Sequence, residues 1–208
     1  MYEVEIKMKK DWTGNKRTTF VTLGSSNHSE GEREANDYYA TDPHALELFL
    51  EAIKRDNFKL CKRIWECACG QGHLSKILID KGYIVKSTDL IDRGYGEGGI
   101  DFLKQREGWH GDILTNPPYK YAEDFVEKAL KLLEQGNHCV MFLKVQFLEG
   151  QSRRELFEHC PPKYVYVHSK RANCAKNGNF EKYGSSAICY CWYIWEKGFK
   201  GESIIRWI

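Results

Sequence analysis

Arg63-Ile-Trp-Glu-Cys-Ala-Cys-Gly-Gln-Gly72 reads as a buried strand that runs into a glycine turn. Gly70 and Gly72, without a Cβ, let the backbone approach a ligand closely. His73 to Lys81 follows, with Leu74, Ile77 and Leu78 at helical spacing, and Gly82 closes that helix. A second strand, Tyr83 to Thr88, ends at Asp89-Leu90. Strand, Gly-x-Gly turn, helix and a strand ending in an acid form the frame of a nucleoside-binding βαβ unit. Asp89, 17 residues beyond Gly72, is placed to bind ribose hydroxyls. The third glycine of the dinucleotide fingerprint is absent, with Ser75 or Lys76 where it would fall, which argues against a pyrophosphate cofactor. Glu66, at the strand end, would repel phosphate and suits a cationic ligand.

A second stretch lies downstream, Gly111-Asp-Ile-Leu-Thr-Asn-Pro-Pro-Tyr119. Ile113 and Leu114 read as the end of a buried strand. Neither Pro117 nor Pro118 can donate a backbone hydrogen bond, so regular pairing stops there. Pro117 also biases Asn116 towards an extended conformation. The outcome is a stiff corner carrying an amide, a carbonyl and an aromatic face. It suits a planar group with an exocyclic amine: the Asn116 side-chain oxygen and the Pro117 carbonyl each accept an N–H, and Tyr119 stacks on the ring. A Pro-Pro turn that merely caps a strand would need neither Asn116 nor Tyr119. Asp112 reads as a strand-end residue rather than a catalyst.

Outward from these two stretches, residues 1–37 form a polar N-terminal arm, whose basic cluster Lys9, Lys10, Lys16 and Arg17 reads as solvated. Residues 38–208 are expected to form a single domain. Thr41 or Asp42 caps a helix opened by Pro43, with Leu46, Phe49, Leu50 and Ile53 on its apolar face. Arg93 to Gly99, with four glycines, is expected to be a flexible loop. Asp101-Phe102 suits an adenine, by an amine bond and ring packing; a helix cap followed by a core Phe explains the pair almost as well. Ala122 to Leu133 predicts an amphipathic helix stopped at Gly136, and Cys139 to Val145 a buried strand. A short helix is expected over Ser152 to His159, then strands over Lys163 to Ser169 and Ala187 to Trp195. Trp192, Tyr193 and Trp195 read as strand packing. Between these strands, Lys170, Arg171, Lys176 and Lys182 among Asn and Gly make the best nucleic-acid contact segment, with a solvated loop as its plain alternative.

The composition is that of an ordinary soluble domain: 208 residues, 42% hydrophobic, 29% charged, net charge +2. So mild a charge makes any anion-binding surface a local one. No apolar run reaches membrane-spanning length and the first residues lack a signal-peptide core, so a cytoplasmic location is expected. Most of the eight cysteines lie in apolar strand-like runs, where they behave as small hydrophobes. The C-x-C pairs and seven scattered histidines lack zinc spacing, and no metal is expected.

Together these segments resemble class I S-adenosylmethionine-dependent methyltransferases, specifically the DNA amino-methyltransferases that modify adenine at its exocyclic nitrogen. The resemblance spans roughly residues 38–197 and is greatest to small phage or prophage members, a family tied to restriction-modification in bacterial hosts. It implies a Rossmann-like, doubly wound, mostly parallel seven-stranded sheet with an antiparallel C-terminal hairpin, and S-adenosyl-L-methionine as cofactor. Asn116, Pro117, Pro118 and Tyr119 match the catalytic motif. Glu66, Cys67, Ala68, Gly70 and Gly72 match the cofactor loop, Asp89 and Leu90 the ribose end, and Asp101 and Phe102 the adenine site. Tyr39, Thr41 and Pro43 match the N-terminal motif beside the methionine part, with Asn116 also against the cofactor. The chain has no room for the target-recognition domain of larger members, so specificity is expected to be short, relaxed, or supplied by the loops at 93–99 and 170–186. DNA with a flipped adenine is the expected partner. The rivals are adenine in RNA, a protein glutamine amide, cytosine amine, and a non-catalytic nucleic-acid-binding module.

Overall fold

The computed structural model describes residues 39–170, 172, 174–176 and 188–208. The expected polar arm, with Arg171 and Lys182, lies outside the described residues. Nine strands are described: β1 (Tyr39–Thr41), β2 (Arg63–Glu66), β3 (Ile84–Ser87), β4 (Asp112–Thr115), β5 (His138–Lys144), β6 (Tyr164–Val167), β7 (Cys174–Lys176), β8 (Tyr190–Glu196) and β9 (Ile204–Trp207). The α-helices among the described residues are α1 (Pro43–Arg55), α2 (His73–Asp80), α3 (Ala122–Leu132) and α4 (Arg154–His159).

Seven strands make one sheet in the order β3-β2-β4-β5-β8-β6-β9. β3, β2, β4 and β5 are mutually parallel, and β8 runs antiparallel between β5 and β6. β6 and β8 are the expected antiparallel C-terminal hairpin. β9 pairs in parallel with the outer edge of β6; the sequence reading missed it, because a short apolar run beyond the last long strand gives no period to count. β1 and β7 form a separate two-stranded antiparallel sheet.

Alternation through the central strands divides the core. Ile113, Cys139, Met141, Tyr193 and Trp195 face one side and pack with Trp65, Phe102, Phe125 and Val126, covered by α3. Leu114, Val140, Phe142, Trp192 and Ile194 face the other side, against Leu46 and Phe49 of α1 and Leu74 and Leu78 of α2. Coverage on both faces is why β5 and β8 read as unbroken apolar runs rather than alternating ones. Trp192, Tyr193 and Trp195 are all buried, as strand packing requires. Their polar atoms are paired: Trp192 Nε1 donates to Ala45 O at 3.1 Å and Trp195 Nε1 to Cys160 O at 3.0 Å.

Local signals set the helix ends. Pro43 opens α1 and the Asp42 carboxylate accepts from His44 N at 3.0 Å, so Asp42, not Thr41, is the cap. Gly82 and Gly136, after α2 and α3, both have φ near +85°. No helix among the described residues is long and apolar enough to cross a membrane.

Candidate functional site

From β2 the chain crosses to β3 on one side and then to β4 on the other. The C-terminal ends of β2 and β4 therefore flank the topological switch point, where open α/β sheets hold their ligands. Both stretches that organise the sequence end there.

On the β2 side, Gly72 sits in the left-handed region at φ +78° and leads directly into α2. A Cβ at Gly72 would overlap the Tyr95 ring, which lies on the glycine loop. Lys76 holds that ring from outside, its Nζ 5.0 Å from the centroid. The 93–99 segment is tied down rather than loose: Glu97 N donates to Ser87 O at 2.9 Å, Asp89 N donates to Glu97 O at 3.0 Å, and Gly94 N donates to the Asp92 carboxylate at 2.9 Å. Two of its glycines serve close approach: a Cβ on Gly96 would press on Ser87 O at 2.6 Å, and one on Gly98 on Asp92 Cβ at 2.6 Å. The expected flexible loop is thus a fixed cover on the end of β3.

Asp89 is oriented by the backbone. Gly70 N donates to its Oδ2 at 2.7 Å and Ile91 N to its Oδ1 at 2.9 Å. Leu90, next to it, is 57% exposed and offers an apolar surface at the strand end. Glu66 is buried and accepts a hydrogen bond from Ser75 Oγ, which lies 2.6 Å from Ser87 Oγ. Burial pushes the Glu66 carboxyl up to about 8; the Ser75 hydroxyl pulls the other way, and the charge of Asp89 adds to the rise. Ser75 occupies the place of the missing third glycine, so the residue that spoils the dinucleotide fingerprint satisfies the buried acid. Cys67 is buried and Ala68 half-buried along the same turn. Desolvation pushes the Cys69 thiol up to about 12, and it donates to Tyr95 O at 3.5 Å.

On the β4 side, pairing stops at Thr115, opposite Met141, and the chain turns at Asn116-Pro117-Pro118 as the prolines demand. Asn116 is half-buried, with its Oδ1 inside. Pro118 O accepts from Tyr121 N at 2.8 Å, closing a 3-10 turn over Tyr119–Tyr121 that leads into α3. Tyr119 packs at the rim between both halves of the core. Its ring lies 6.1 Å from Tyr190, and Lys144 Nζ stands 4.8 Å over it.

Asp101 and Phe102 are placed differently from a ring-stacking pair. The Asp101 carboxylate caps a 3-10 turn through Leu103 N at 3.0 Å and pairs with Lys104 at 3.2 Å. The Phe102 ring is 2% exposed, edge-on to Trp65 at 5.3 Å and 5.0 Å from Phe125. The cap-and-core reading describes this geometry. Any ligand contact from the pair falls to Asp101, whose side chain is 28% exposed.

The N-terminal motif is brought in from outside the main sheet. β1 packs on α2, beside the glycine loop, and β7 pairs with β1 so that Lys176 lies opposite Tyr39. Cofactor-motif and basic-segment backbones thereby become neighbours, which no local signal announced. Lys170, exposed, follows the end of β6. Asp112, at the opposite end of β4, is fully buried and accepts from Cys61 N at 2.7 Å and His138 N at 2.8 Å. That is a structural role far from the corner.

Thr41 Oγ1 in β1 and Thr115 Oγ1 at the end of β4 are buried without a hydrogen-bond partner. Buried hydroxyls of that kind ask for a polar ligand. With the oriented Asp89 carboxylate and exposed Leu90 they fit a nucleoside bearing an amino-acid tail.

The sequence matches no protein-family model, and no curated protein matches it either. Solved structures do match in fold. A proposed class I S-adenosylmethionine-dependent methyltransferase of Listeria monocytogenes aligns over 91% of this chain and 70% of its own, with 11% identity and TM-score 0.55. A proposed RNA methyltransferase of Pyrococcus horikoshii aligns over 89% and 99%, with 14% identity and TM-score 0.56. A proposed hemolysin of Lactococcus lactis aligns over 80% and 93%, with 11% identity and TM-score 0.56. The fold is therefore the Rossmann-like one of class I methyltransferases, and at such identity the likeness speaks of fold alone.

Proposed function

We propose that this protein transfers a methyl group from S-adenosylmethionine to the exocyclic amine of an adenine in DNA, after the base has left its stack. The observation that carries the reading is the Asn116 corner with Tyr119, set across the switch point from Asp89 and Leu90. Bound S-adenosylmethionine supplies an electrophilic methyl group on a sulfonium, chemistry that needs no metal.

Thr41, Thr115, Asp89 and Leu90 would hold the cofactor, with Asp101 at its base end and Gly70 and Gly72 giving it backbone access. An adenine amine is a poor nucleophile, because its lone pair is delocalised into the ring. Acceptance of its two N–H groups by Asn116 Oδ1 and the Pro117 carbonyl favours a more tetrahedral nitrogen and aims the lone pair. Alignment of the two centres supplies much of the rate. The same oxygens stabilise positive charge as it develops on nitrogen. Tyr119 replaces the stacking that the flipped base gives up. Exposed Lys120 and Lys170 follow β4 and β6 on the same rim, which suits a polyanion.

Adenine in RNA is the second reading: it presents the same amine, and one structural neighbour is a proposed RNA methyltransferase. The deciding experiment offers labelled S-adenosylmethionine with unmethylated duplex DNA, single-stranded DNA, RNA or protein lysate, beside Asn116→Ala. Label in DNA adenine that falls about 10²-fold in the variant supports the proposal. Label in RNA or in protein moves the substrate, and no transfer with intact cofactor binding leaves a binding module.

A further inference from the structure

We infer that Lys144 receives a phosphate of the nucleotide whose base stacks on Tyr119, an inference that rests on the nucleic-acid reading above. Lys144 is the last residue of β5, paired with Tyr190. Its position is built. The buried Tyr193 donates its hydroxyl to Lys144 O at 3.1 Å and lies 3.4 Å from Val145 O, while Val145 N donates to Cys189 O at 2.8 Å. Beyond it, Arg153 gathers the carbonyls of Phe147, at 2.9 Å, of Gln146, at 3.3 Å, and of Glu149. This bracing fixes the backbone and leaves the side chain to its own rotamers.

The ammonium stands over the Tyr119 ring and makes no ion pair among the described residues. A base arriving on that face displaces it, and the four-carbon stem lets the head swing to the margin of the ring. The sugar and phosphate of the same nucleotide lie at that margin. Charge makes the choice of ligand. Methylation builds positive charge on the amine held at Asn116, and a lone ammonium nearby opposes that step. A phosphate cancels it. A glutamine amide brings no such anion, so Lys144 favours a nucleotide over a protein substrate.

The test measures binding of a fluorescein-labelled single-stranded deoxyoligonucleotide with one adenine, and of RNA of the same sequence, against salt concentration. Lys144→Gln is expected to weaken binding about 5–10-fold and to flatten the salt slope by about 0.7, the share of one single-strand phosphate. Lys144→Arg should keep the slope. A neutral methylphosphonate beside the adenine should weaken the natural protein as much as Lys144→Gln does, and should add nothing in that variant. Weaker binding with an unchanged slope, or additive losses, would overturn the inference and leave Lys144 as packing for Tyr119. Should Lys144→Gln not fold, Lys144→Met, which keeps an apolar stem over Tyr119, takes its place in the same comparison. Absence of any binding to DNA or RNA would overturn the nucleic-acid reading as well.

Discussion

Glu66 holds a proton in the folded chain that the unfolded chain has released. Its carboxyl moves from 4.5 to about 8 on folding, chiefly by burial. Between those values the native state binds the extra proton, so stability falls as pH rises through that window. Glu66→Gln removes the titration and keeps an acceptor for Ser75. Thermal melts should show the two proteins close at pH 5 and the variant more stable at pH 8.5; parallel pH profiles would refute the assignment. Gly72 makes a second test. A Cβ there meets both a left-handed backbone and the Tyr95 ring. Gly72→Ala should cost about 1–3 kcal/mol in urea unfolding, and adding Tyr95→Ala should return part of it. The glycine turn was legible because it follows a strand with a clear apolar pattern; the burial of Glu66 against Ser75 was not, and the sequence suggests an acid suited to a cationic ligand. Tyr95 and Lys144 were not legible either, since each meets its partner only after distant segments come together.

At the scale of elements, β4 is anchored at its start, at the end opposite the Asn116 corner. Asp112 ties the chain entering β2 to the first residue of β5 through the amides of Cys61 and His138. Asp112→Ala orphans both and should cost about 3 kcal/mol, read as a lower urea midpoint. Methyl transfer per folded molecule should be unchanged, because the corner lies at the other end of the strand. Helix positions followed from local spacing and caps, Pro43 and Gly82 among them. The elements missed, β1, β7 and β9, are three or four residues long and exist only through their pairing. Such segments carry too few residues for periodicity to separate strand from loop.

For the molecule as a whole, the switch point makes cofactor binding a stability measurement. At 100 times its Kd, S-adenosylmethionine should add about 2.7 kcal/mol. For a domain of this size that is a rise in Tm of roughly 5–10 °C. Asp89→Ala should lose most of the rise and, with the Gly70 and Ile91 amides left without their acceptor, should also melt lower in the absence of ligand. An equal rise in both would remove Asp89 from the site.

The sequence by itself determined the βαβ frame, the acid at the end of β3 and the stiff corner after β4, because strand periodicity, glycine turns and proline geometry act over a few residues. Only the tertiary structure decided what surrounds them. Sheet order set the glycine loop and the Asn116 corner on either side of the switch point. Packing turned the Phe102 ring into the core and drew Tyr95 over Gly72. Pairing of β1 with β7 brought the N-terminal motif beside the basic segment, and the end of β5 delivered Lys144 to Tyr119. Contacts between residues tens of positions apart depend on how faces are buried and strands ordered, and no local pattern encodes that order.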